Sequence, residues 1–192
     1  MPRVLLAVLV LCAVLGALFF AGGLGAERGA QTRAFTFEPI GLRFDYPAKY
    51  FVEVQNLGDG HRAHFALVLY EDTPENRTLI EYPKSVPPRE GPPTITIDIF
   101  QNNLDASDTE GWVRGSNDSN FKLSPDSVLS PARVGGEAGL RYRWSGLYEG
   151  ESVAVARPDN IYMFSVTYLS PEDPIRGDFE ALLPTVAFPP VK

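Results

Sequence analysis

At 192 residues the chain has room for one domain and an attachment segment, and a domain of that order buries a substantial core. Setting aside Arg3, Arg28 and Arg33 from the 17 cations, and Glu27 from the 24 anions, leaves 14 Lys and Arg against 23 Asp and Glu beyond residue 33. An acidic domain without a Lys/Arg run excludes nucleic acid as a partner and disfavours adsorption to an anionic lipid surface.

Between Val4 and Leu24 no residue is charged or strongly polar, and 21 residues of helix rising about 1.5 Å each span about 31 Å, the thickness of a bilayer core. Residues 1–26 are therefore expected to form one N-terminal transmembrane anchor, running from Val4 to Leu24. The alternative is a signal segment cut near Ala21-Gly22-Gly23 or Gly23-Leu24-Gly25, giving a secreted protein. Cys12, the only cysteine, lies inside this run, so the remainder has no disulfide, thiol nucleophile or Cys-based zinc site. Lipidation at Cys12 would need a small residue before it, and Leu11 is not small. The flanking cations, Arg3 against Arg28 and Arg33, are nearly balanced. A short tail, one apolar segment and a large domain predict that the domain lies on the extracytoplasmic side.

Residues 27–33 read as a polar tether and 34–192 as the globular domain. Ala34 to Glu38 and Leu42 to Tyr46 read as strands around Pro39-Ile40-Gly41. Phe51 to Gln55 and His64 to Tyr70 follow. Residues 71 to 93, with five prolines from Pro83 onward, read as an extended loop without an element. Thr94 to Phe100 alternates strictly, with Ile95, Ile97 and Ile99 on one face. Ser107-Asp108-Thr109-Glu110 is a capping-box pattern for a short helix ended by Gly115. Phe121 to Leu123 and Ser127 to Val134 read as extended, and Gly135-Gly136 as a tight turn. Gly139 to Trp144 and Glu151 to Ala156 are strands, the latter paired as a hairpin with Asn160 to Leu169. That last strand carries apolar residues on both faces and so calls for cover on both. Asp173-Pro174 caps a helix whose Ile175, Phe179, Leu182 and Leu183 form an apolar stripe, and Pro184 stops it.

Gly41-Leu42-Arg43-Phe44-Asp45-Tyr46-Pro47 followed by Tyr50 resembles the opening of PsbP-like domains, whose type member is an extrinsic photosystem II subunit. The similarity continues through Val134-Gly135-Gly136-Glu137-Ala138-Gly139, Asp159-Asn160-Ile161-Tyr162, and Phe179 to Leu183 with Val186-Ala187-Phe188. It covers residues 34 to 189. The resemblance implies an α+β fold, an α/β/α sandwich with a central, mostly antiparallel sheet, and carries no catalytic residues to this chain. The family's known roles, binding and assembly, imply the same for this domain. The chain departs from the family in its proline-rich insertion, 81 to 93, and its non-lipidated anchor.

Few constellations carry chemistry. His61 and His64 sit at a turn-to-strand junction where i and i+3 point apart, which disfavours a zinc pair. Asn102, Asn103, Asp105, Asp108 and Glu110 are rich in oxygen but lack the spacing and glycine of a calcium loop. Ser145 lacks the glycine of a nucleophile elbow. Asn76 and Asn117 match the glycosylation pattern without further support. Arg141, Arg143 and Trp144, gathered on one strand, are the candidate contact for a protein partner, against the plainer reading of an exposed strand face. These observations predict a membrane-tethered, extracytoplasmic, non-catalytic domain that binds a protein partner in the cell envelope, with no cofactor. The alternatives are a binder of a small ligand or metal in a groove of the sheet and, third, an enzyme.

Overall fold

Alternation gives the sheet its centre. The strand Asn160–Tyr168 buries seven of its nine residues and lies fourth in a seven-stranded sheet. In chain order the strands are β1 (Thr32–Phe37), β2 (Leu42–Pro47), β3 (Tyr50–Asn56), β4 (His64–Glu71), β5 (Ile95–Gln101), β6 (Ser130–Val134), β7 (Glu137–Ser145), β8 (Glu149–Ala156) and β9 (Asn160–Tyr168). The large sheet runs β3-β4-β5-β9-β8-β7-β6, and β1 pairs only with β2; all these pairings are antiparallel. The helices are α1 (Pro74–Glu81), α2 (Thr109–Gly115) and α3 (Pro174–Leu182), with single 3-10 turns at Phe121–Leu123 and Leu183–Thr185. This computed structural model describes residues 31–81, 90–102 and 107–191. The apolar segment Val4 to Leu24 lies outside the described residues, among which no helix is long and apolar enough to cross a membrane.

The two faces of β9 find different cover. Tyr162, Phe164 and Val166 join Leu67, Leu69, Ile95, Ile97, Val153 and Val155 in the main core, closed by Ile175, Phe179 and Leu182 of α3 and by Leu42 and Phe44 of β2. Ile161 and Met163 point the other way with Phe100, against Trp112 of α2. Val113 of α2 packs with Phe121, Tyr142 and Ala154 on that same side. The sheet is thus covered by helix on both faces, as its two-faced apolar strand requires.

Local signals explain the ends. Asp108 accepts from Gly111 N–H at 2.6 Å and Asp173 from Ile175 N–H at 3.2 Å, so both aspartates cap their helices. Gly135 and Gly136 both take positive φ, 53° and 86°, the conformation of a two-residue hairpin turn whose twist suits the strands. A side chain at Gly135 would also run into Val186 O. Two expectations are corrected. The stretch 71 to 93 is not free of structure, because Pro74 opens α1, an eight-residue helix, where its missing N–H costs nothing. Phe121 to Leu123 is a 3-10 turn and not extended, since Asn120 enters it in the left-handed region and Ser119 Oγ accepts from Phe121 N–H.

Candidate functional site

The strand residues proposed for partner contact are divided by strand alternation. Arg141 and Arg143 point to the α3 side, and Trp144 points with Tyr142 to the α2 side. Arg141 meets both Glu180 oxygens on α3, at 2.6 and 3.0 Å. Its Nη1 also lies 2.7 Å from Oε1 of Glu151, whose side chain is only 7% exposed. That contact is Coulombic, because Glu151 Oε1 receives no hydrogen bond of good geometry. Arg176 of α3 approaches the other oxygen at 3.4 Å, so α3 is tied to the sheet by two cations around a buried carboxylate. Hydrogen bonding to Glu180 and the charge of Glu151 raise the Arg141 pKa above its ordinary value. Arg143 is 61% exposed and bonds Asp126 at 2.6 Å, and its guanidinium, with Val128 N–H, holds the Asp126 carboxyl below its usual range.

Trp144 lies across Gly150, where a Cβ would come within 2.3 Å of indole Cε2. Its Nε1 donates to Ser152 Oγ at 2.9 Å, and Ser152 and Ser165 share a hydrogen bond of 2.8 Å. Tyr142 donates to Ser119 O at 2.6 Å, and burial pushes its hydroxyl pKa upward. Trp144 is therefore packed and satisfied within the α2-side layer.

The other sequence candidates are occupied structurally. His64 Nε2 lies 2.8 Å from Asp98 Oδ1 with its ring stacked on Phe100, while His61 sits in the exposed turn held by Asp59. Asn102 donates to Ser107 O and Arg157 O and accepts from Ser107 N–H, and Glu110 pairs with Arg114. Asn103 and Asp105 lie outside the described residues. Among the described residues no cluster of three or more His, Cys, Asp or Glu side chains has the disposition of a metal site. Asn76 is buried, its amide donating to Glu71 O.

Two clefts lie at opposite ends of the sheet. One, of about 280 Å³, is lined by Lys49, Tyr50, Glu71, Asn76, Pro92, Pro93 and the start of α3. There Tyr50 donates to Asp178 at 2.6 Å and Lys49 pairs with the same oxygen at 2.7 Å. Burial, then the Asp178 bond, drives the Tyr50 hydroxyl pKa up, away from the range in which a general base works. The other, of about 370 Å³, is formed where the β1–β2 turn (Pro39, Ile40), Phe65, Ile99 and the Pro189-Pro190 segment meet Gln101, Asp159 and Asn160. Its walls come from five separate stretches of chain, brought together by the strand order.

No protein-family model matches the chain, and no curated protein matches it. Among solved structures the chain is similar to the solution structure of cyanobacterial PsbP (CyanoP) from Synechocystis sp. PCC 6803, at 11% identity and a TM-score of 0.47 over 87% of this chain and 96% of that one.

Proposed function

We propose that the chain is a membrane-tethered, extracytoplasmic, non-catalytic domain of PsbP-like type that binds a protein partner of the cell envelope at the proline-walled cleft. The observation that carries this reading is the make-up of that cleft. Pro39, Pro189 and Pro190 hold its walls in fixed conformation around the half-buried Ile40 and Phe65, so little conformational freedom is lost when an apolar side chain docks. Its position suits a tethered domain. The chain enters at Thr32, which pairs with Pro47 just before Lys49 and Tyr50, and the cleft lies at the other end of the strands. A second reading, a small-ligand binder, is favoured by the volume, which falls inside the range of small-molecule sites, and by the convergence of Gln101, Asp159 and Asn160.

The test is a photo-reactive amino acid placed at Ile40 and, as a control, at the exposed Lys122, in the full chain in its native membrane. A discrete adduct with one protein from position 40 and none from 122 is expected. No adduct at 40, or the same adducts at both positions, would sink the reading of the cleft as the site of a protein partner.

A further inference from the structure

The two edges of the seven-stranded sheet are finished differently. At β6, Pro131 has no N–H to offer, and just past the strand Gly135 N–H donates to Leu183 O at 2.9 Å. At β3 no described strand pairs along the outer edge, and the strand contains neither proline nor glycine. Lys49 O accepts from Asp72 N–H at 2.7 Å, and Leu57 N–H donates to His64 O at 2.8 Å. The register between them is unbroken, so the odd-numbered residues of β3 exchange their main-chain bonds with β4. Tyr50, Val52, Val54 and Asn56 consequently turn their main-chain groups outward.

Side chains sort by the same parity. Val52 and Val54 stand opposite Leu69 and Leu67 on the core face, whereas Phe51, Glu53 and Gln55 occupy the other face. Val54 leaves 48% of its surface in water, so the apolar face continues to the open edge. We propose that β3 accepts an extended segment of a partner protein as an added antiparallel strand, in which apolar residues alternate with basic ones. The apolar residues extend the core face beside Val52 and Val54, and a basic residue meets Glu53 across the strands. Charge selects a basic partner over a second copy of this chain. Two domains, each with 14 cations against 23 anions, repel. Antiparallel self-pairing with full overlap would also set Glu53 directly against its own copy. This inference rests on the reading of the domain as a protein binder but not on the cleft, so peptide binding at β3 without a cross-link at position 40 would fault the cleft alone.

Residues directly opposite one another share a face. The valines of a bound Val/Lys alternating peptide therefore lie opposite Val52 and Val54 and turn their main-chain groups to β3, while its lysines turn theirs away. The experiment measures binding of a fluorescent Val/Lys peptide of about eight residues to the full chain in zwitterionic detergent, by anisotropy. Methylating the valine amides is expected to weaken binding about tenfold or more, and methylating the lysine amides is expected to leave it within about twofold. Val54→Pro, which removes an outward N–H and spares the β4 ladder, should match the first loss, and Val54→Thr should bind as the wild type does. Equal binding of the two methylated peptides would reduce the effect to charge attraction and overturn the proposal. So would a wild-type chain that binds no peptide, or a dimer in sedimentation that Val54→Pro dissolves. Should Val54→Pro fail to fold, the two methylated peptides still decide.

Discussion

Tyr142 shows how one hydroxyl couples the sheet to its cover. Its ring meets Phe121 edge-on at 5.5 Å, and its hydroxyl donates to Ser119 O and lies 3.2 Å from Met163 Sδ. Tyr142→Phe keeps the ring but leaves Ser119 O unpaired in a buried place, so it should cost about 1–2 kcal/mol in urea unfolding at neutral pH. Burial raises the folded pKa of this hydroxyl above the unfolded value. The protonated form is favoured in the fold, so its contribution is complete below about pH 10 and declines as pH rises through the folded value. Tyr142→Phe should accordingly lose less stability than the wild type between about pH 8 and pH 11. The alkaline decline should be reduced and not abolished, because the pKa values of Tyr50, Tyr70, Tyr162 and Tyr168 are also raised, each first by burial.

At the scale of elements, α3 is held to the sheet by an apolar stripe and by the ion pairs around Glu151. The two carboxylates of that cluster differ in exposure: Glu180 is 53% exposed and Glu151 only 7%. Glu180→Ala should cost less than about 1 kcal/mol, as exposed pairs do. Glu151→Ala leaves Arg141 and Arg176 without their shared partner and should cost about 2 kcal/mol, below the figure for a fully buried pair because both arginines keep some water. Urea midpoints of the two variants decide the order, and equal midpoints would contradict it. The stripe Ile175, Phe179, Leu182 was legible in the sequence because helical period and caps are local. So was the hairpin ending in β9, since two-faced apolar character is a property of one strand. The ionic cluster was not legible, because Glu151 and Glu180 become neighbours of Arg141 only through strand order and helix placement. The same cause hid the proline-walled cleft. Helix α1 was missed for a different reason: the prolines that follow it outweighed Pro74 at its start, where proline favours a helix. Trp144 could have been separated from Arg141 and Arg143 by parity alone, and the structure gives its indole a packing role over Gly150.

At the scale of the whole molecule, the path of the chain bears on orientation. Tethering before Thr32 on the extracytoplasmic side would put the bond after Arg28, the last cation before β1, on the same side as an added protease. Trypsin applied to intact spheroplasts should therefore release the domain as a fragment, and protection until the membrane is permeabilised would reverse the proposed sidedness. The strand order carries one more consequence. β3, β4 and β5 succeed one another in space as in sequence, and so, in reverse, do β9, β8, β7 and β6. The sheet is thus two meanders of sequence-adjacent antiparallel strands that meet along a single seam where Ile95 faces Val166 and Gln101 faces Asn160. The longest span of sequence, 102–159, is closed at that seam, with the link 72–94 between β4 and β5 the other long closure, so folding speed is governed in large part by how readily the two half-sheets find each other there.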